Sequence, residues 1–180
     1  MTRADLTEAF VAGEEVWSGN LLHVQRHVVR LPDGSSGVRE FIRHPGAVLV
    51  VPLFDDGRVL LERQFRYPHG REFIELPAGK VDPGEARLET ARRELEEETG
   101  YVAAHWRRLG VIHTSVAYTD EAIEMFAARG LEKRAQRLDP GEFLEVFALP
   151  MAEALAMVGD GRITDAKTVA ALLWVERFGT

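Results

Sequence analysis

The chain has 180 residues, 46% hydrophobic and 28% charged, with 16 Gly and 8 Pro, enough to bury roughly 70% of the surface its unfolded chain exposes and unlike a disordered, collagen-like or repetitive sequence. Lys and Arg number 22 against 29 Asp and Glu, for a formal charge of -7, which argues against a nucleic-acid-binding surface and leaves an anionic substrate in need of a metal or local Arg residues. The absence of Cys excludes a disulfide framework, a thiolate nucleophile and a Cys-based zinc site.

Residues 1–11 carry Asp5 and Glu8 and no continuous apolar run, so they do not read as a signal peptide, and a cytoplasmic location is expected. The longest apolar run, residues 47–54, is broken by Pro52 and falls far short of the roughly 20 residues a membrane-spanning helix needs, so no membrane association is expected. From Trp17 to His44, two β-prone runs, 21–31 and 38–43, flank the turn residues Pro32, Asp33 and Gly34 and predict a hairpin. Runs 47–54 and 58–65 around Asp55-Asp56-Gly57 predict a second hairpin. A short strand, 72–76, ends at Pro77; an irregular loop, 78–84, leads into a helix over 85–99 closed by Gly100. Strands over 106–115, 122–128 and 143–149 and helices over 151–158 and 165–178 complete the prediction, with Thr164 as the expected cap of the last helix. This order points to an α/β (α+β) fold, a mixed sheet sandwiched between helices. Phe10, Trp17, Trp106 and Trp174 are expected in the core, and His23 and His27 lack partners for a zinc site.

The helix at 85–99 concentrates the chemistry. At 100° per residue Glu94, Glu97 and Glu98 share one broad side, while Leu88, Ala91 and Leu95 form an adjacent apolar stripe. Six acids and three Arg lie between Glu85 and Glu98, and like charges at (i, i+4), such as Glu94 and Glu98, repel by a few tenths of a kcal/mol each. A hard divalent cation, Mg²⁺ or Mn²⁺, neutralises such a face and binds phosphate oxygens as well. The loop before the helix can bring a backbone carbonyl, that of Ala78, to the same ion.

Gly79, Glu85, Arg93-Glu94-Leu95, Glu97-Glu98 and Gly100 stand at the spacing of the Nudix box, with Tyr101 where an aliphatic residue is usual; the sequence resembles the Nudix hydrolase family. The stretches 63–68, 72–80 and 163–168 resemble its ADP-ribose pyrophosphatase branch, whereas residues 114–121 lack the Ser-Pro-Gly stretch often found there. The resemblance implies a Nudix-type α/β/α sandwich over 45–180, preceded by a small antiparallel β region over 1–44 that helps form a homodimer. It implies Mg²⁺ or Mn²⁺ held by the Ala78 carbonyl, Glu94 and Glu98, with Glu97 assisting, while Glu85 and Arg93 brace loop and helix. In that branch a further acid after the box activates water; Glu142 is the candidate for this role and Glu145 its competitor. Arg39, near the other subunit's ligand, and Arg66 are the expected substrate contacts. ADP-ribose is the expected substrate, with GDP-mannose, nucleoside triphosphates or capped RNA as alternatives and a non-catalytic nucleotide sensor as a third reading. No Walker A, Rossmann or Gly-x-Ser-x-Gly motif occurs.

Overall fold

The computed structural model describes residues 4–180, which divide into two compact units. The first comprises the residues up to Pro45 together with Ser115–Glu121. Its sheet has the order β1 (Ala9–Ser18), β2 (His23–Arg30), β3 (Ser36–Arg43), antiparallel throughout. The predicted hairpin is β2 and β3; β1 is an addition that the irregular pattern of Ala9–Ser18, with Gly13, Glu14 and Glu15 in its middle, concealed. The segment 115–121 is tied on by Ile42 N–H donating to the Tyr118 carbonyl at 2.8 Å and His44 N–H donating to Asp120 Oδ1 at 2.7 Å. Three strands alone bury little. Phe10 and Trp17 are 65% and 63% exposed, which corrects the expectation that they lie in a core.

The second unit carries β4 (Ala47–Pro52), β5 (Arg58–Arg66), β6 (Arg71–Glu75), β7 (Ala78–Lys80), α1 (Arg87–Thr99), β8 (Tyr101–Ile112), β9 (Ile123–Lys133), β10 (Leu144–Pro150), α2 (Met151–Gly159) and α3 (Ala166–Phe178). A mixed sheet has the order β7-β4-β9-β8, with β4 and β9 parallel and the other pairs antiparallel; a second, antiparallel sheet is β10-β5-β6. Every residue of β4 is buried, and its alternation splits the core in two. Val48 and Val50 pack with Ala91 and Leu95 of α1, whereas Ala47, Leu49 and Val51 pack with Val59 and Leu61 of β5 and with residues of α2 and α3. The mixed sheet therefore lies between α1 and the α2–α3 side, the layering expected from the sequence.

Two details differ from the sequence reading. The Asp-Gly turn forms, with Phe54 N–H donating to the Arg58 carbonyl at 2.9 Å, but β4 and β5 then diverge into separate sheets, joined only by the bridge Leu53 to Val59. A strand buried on both faces takes the sheet's centre, and β7 and β9 already occupy both edges of β4, leaving none for β5. Likewise the segment after Pro77 is not wholly irregular: Ala78–Lys80 pairs with β4 as β7.

Asp165, not Thr164, caps α3, accepting from Thr168 N–H at 3.0 Å. Its carboxylate also accepts from the Thr168 hydroxyl at 2.6 Å and Lys167 Nζ at 2.9 Å, more than a Thr side chain can offer. The buried Thr168 hydroxyl in turn accepts from Leu76 N–H at 2.9 Å, fixing the strand end that leads into the loop. Thr168→Val keeps the shape and leaves that buried amide without a partner; unfolding in urea is expected to show a loss of about 1–3 kcal/mol, and a change below about 0.5 kcal/mol would show the bond to be dispensable.

Candidate active site

Helix α1 rests Leu88, Ala91 and Leu95 on the sheet and turns its carboxylates toward the loop at 78–85. Gly100 ends it at φ +67°, where a Cβ would lie 2.7 Å from the Gln136 backbone nitrogen. At Gly79 a Cβ would collide with the Glu94 carboxylate, so a side chain there would push that carboxylate out of its present position.

Arg93 is the hub of the loop side. It donates to both oxygens of Glu85 at 3.1 and 3.0 Å, to Glu94 Oε1 at 2.9 Å, to Glu97 Oε2 at 3.2 Å and to the Lys80 carbonyl at 3.3 Å. Glu85 also accepts from the Thr90 hydroxyl at 2.8 Å. Hydrogen bonding from Arg93 holds the Glu85 carboxyl down at about 2. This is a bracing arrangement, in which one guanidinium fork satisfies three acids.

Deeper in the site the balance reverses. Glu98 is 5% exposed and accepts from Ala78 N–H at 3.1 Å. Burial, and then the charges of Glu62, Glu94 and Glu142, push its carboxyl well above the usual range. Burial likewise raises Glu94, although Arg93 opposes it. Glu62, on β5, is 1% exposed, and burial followed by the Glu75 charge lifts it to about 8. Its Oε2 has no hydrogen-bond partner. Glu75, facing Glu62 in the β5–β6 register, differs: burial alone would raise it, but Arg66, bonded at 2.6 and 2.9 Å, and Lys167 together bring it below the usual value.

Among the described residues no three acids already form a closed metal cage. The donor set nevertheless fits a hard divalent cation: every side-chain donor is a carboxylate oxygen, the deepest acids lie in surroundings that disfavour a bare charge, and one oxygen of Glu62 has no hydrogen-bond partner. Glu94, Glu98, Glu97 and the Ala78 carbonyl are the groups that could hold it, with open positions left for water and phosphate oxygens.

The structure brings together Ala78, Glu94, Glu97 and Glu98, and sets Glu142 where its charge acts on Glu62, Glu94 and Glu98. Glu142 is half-buried, in a turn where the Asp139 N–H approaches its Oε2 at 3.3 Å. Glu145 is exposed and paired with Arg63 across β10 and β5. Arg66, with Glu75, Asp165 and Lys167, lines a cleft of about 260 Å³. Arg39 belongs to the first unit, where its Nε donates to Glu8 at 2.8 Å. Sequence reasoning missed Glu62, Glu75 and Lys167. For Glu62 the available signal was a lone acid closing the apolar run Val59-Leu60-Leu61.

A cation-fitting helix of acids beneath a glycine-bearing loop, on a mixed sheet, defines a class of phosphate-chemistry enzyme. The NUDIX domain model matches residues 43–172. The chain is 38% identical to the ADP-ribose pyrophosphatase of Bacillus subtilis (strain 168) over 173 residues, 95% of this chain and 94% of that one. It is 38% identical to the methanol dehydrogenase activator of Bacillus methanolicus, covering 94% and 92% of the two chains. A crystal structure of an ADP compounds hydrolase superposes with a TM-score of 0.86 at 25% identity over 97% of this chain and 95% of that one. The chain belongs to the Nudix family. It is a Nudix hydrolase, and these enzymes generally use divalent metal ions.

Because the folded value of Glu85 lies below its ordinary value near 4.5, its bond to Arg93 stabilises the fold fully above that value and is lost as pH falls toward about 2. Glu85→Gln is therefore expected to lower the Tm at pH 7, and the gap to wild type should close between about pH 4.5 and 2. A gap independent of pH would mean that the charge of Glu85 contributes nothing.

Proposed function

We propose that the protein hydrolyses the pyrophosphate of ADP-ribose, with water, to AMP and ribose 5-phosphate. The observation that carries this reading is the buried Glu98, bonded by the Ala78 N–H and acted on by the charges of Glu94 and Glu142; the likeness to an ADP-ribose pyrophosphatase over nearly the full length of both chains supports the choice of substrate. Glu94, Glu98, Glu97 and the Ala78 carbonyl would hold Mg²⁺ or Mn²⁺, which when bound would supply charge stabilisation at the phosphoryl oxygens and leaving group. Glu142 takes the proton of the attacking water. Its half-buried position at the end of a turn before β10 suits a base that closes on bound substrate, whereas Glu145 is engaged by Arg63. Arg66, in the cleft beside Glu75 and Lys167, contacts the substrate.

Residues 45–180 form the catalytic region and residues 1–44 the dimerisation element of a homodimer, with Arg39 reaching the neighbouring subunit's ligand. The exposed Phe10, Val11, Trp17, Leu21, Leu22 and Val38 of this element support a partner surface. No helix among the described residues is long and apolar enough to cross a membrane, and the acidic balance disfavours nucleic acid; a cytoplasmic setting fits both.

ADP-ribose, GDP-mannose and a nucleoside triphosphate, each assayed for phosphomonoester release with Mg²⁺ or Mn²⁺, test the substrate; ADP-ribose is expected to give the highest kcat/KM, and a faster alternative displaces it. Glu94→Gln and Glu98→Gln are expected to lower kcat by at least about 10²-fold, and activity persisting in excess chelator would refute metal dependence. Glu142→Gln is expected to cost roughly 10² to 10⁴ in kcat with KM little changed; if Glu145→Gln is the crippled variant instead, the base is Glu145. A fully active monomer by light scattering contradicts the dimer.

A further inference from the structure

Strand β5 alternates. Val59 and Leu61 pack into the core, so Glu62 shares the other face with Gln64 and Arg66. Glu62 is directly opposite Glu75 in the antiparallel register, a placement that sets like charges against each other. The two acids are treated unequally. Glu75 receives Arg66 at both oxygens and Lys167 as well, whereas Glu62, although 1% exposed, keeps its Oε2 without any hydrogen-bond partner. Among the acids that act on the buried Glu98, Glu62 is the strongest, ahead of Glu94 and Glu142. Strand β5 thus carries a buried acid with an orphaned carboxylate oxygen, and that acid's charge acts on the most deeply buried acid of the Nudix helix.

A buried carboxylate needs a compensating positive centre or a proton. The two cations at hand, Arg66 and Lys167, make their hydrogen bonds to Glu75 and, for Lys167, to Asp165. An apolar residue at 62 would continue the run Val59-Leu60-Leu61 and avoid the problem. Its oxygen chemistry suits the ion the neighbouring helix fits, because hard divalent cations accept additional carboxylates at open positions. We propose that Glu62 is a direct ligand of the divalent cation, joining Glu98 so that the ion bridges strand β5 to helix α1. This rests on the hydrolase reading above and adds a ligand that the Nudix helix does not contain. It also gives β5 a second role, since the strand that carries Arg66 toward the substrate then helps seat the metal.

Mn²⁺ binding to the whole protein without nucleotide, followed by the electron paramagnetic resonance signal of free Mn²⁺, tests it in wild type, Glu62→Gln and Glu98→Gln. Glu62→Gln is expected to weaken Mn²⁺ by at least about tenfold, the lower bound found even for groups that only support a metal's ligands, and to shrink the rise in Tm that Mn²⁺ produces over chelator. Should Glu62→Gln lose its fold by circular dichroism, Glu62→Asp, which keeps the charge and withdraws it by one methylene, is expected to show the same weakening. If Glu62→Gln binds Mn²⁺ as wild type does while Glu98→Gln loses it, Glu62 is a neutral packed acid; the inference falls and the proposed function stands. If Glu98→Gln also binds as wild type does, the metal reading of the helix falls, and this inference with it.

Discussion

The amide of Ala78 donating to the buried carboxylate of Glu98 is the bond on which the site depends. It joins the segment that follows β6 to the helix that carries the acids, at a carboxylate that burial pushes well above its usual range. A bond at 3.1 Å needs the loop close to the helix, and at Gly79 any Cβ would collide with the Glu94 carboxylate in its present position. The approach in turn needs β7 fixed on β4, with Leu49 registered on Ala78. The chain of dependence runs from a buried strand, through a short edge strand, to a glycine and then to an acid held ready in an apolar setting.

The surrounding electrostatics divide into two tiers. On the loop side, Arg93 compensates Glu85, Glu94 and Glu97, so those charges stabilise the connection between loop and helix. On the inner side, burial outweighs compensation: Arg66 and Lys167 act on Glu62 only through their charge, without a hydrogen bond to it, and the surroundings of Glu98 and Glu62 favour neutralisation. Between the tiers lies Glu75, whose charge is retained because Arg66 and Lys167 reach it from β5 and α3. Buried carboxylates that their surroundings push toward neutrality, next to acids whose charge Arg93 compensates, are suited to taking up a cation in place of a proton.

Helix α3 contributes more than packing. Asp165 caps it and engages Lys167, Thr168 carries a hydrogen bond to Leu76, and Lys167 reaches Glu75. Three residues within one turn, Asp165, Lys167 and Thr168, thus tie the C-terminal helix to the strand end that leads toward α1.

Much of the acidic face of α1 was determined by the sequence alone, because it depends on spacing along one helix. The 100° step between residues puts Leu88, Ala91 and Leu95 on one stripe and Glu94, Glu97 and Glu98 on another wherever the helix is placed, and the Gly79 to Gly100 pattern carries the family resemblance. The element order and the layering of the second unit were legible for the same reason, since periodicity is a local property. What tertiary structure decided is every relation between distant segments. The Asp-Gly turn looked like a hairpin, yet strand partners are chosen by competition for edges, and β4 had two better ones. Thr164 looked like a cap, but Asp165 wins because its carboxylate also serves Lys167. Nothing local marks Glu62 beyond its place at the end of an apolar run: the fold, by facing it with Glu75, assigning the hydrogen bonds of Arg66 and Lys167 to Glu75 and Asp165, and burying it, leaves one of its oxygens without a partner.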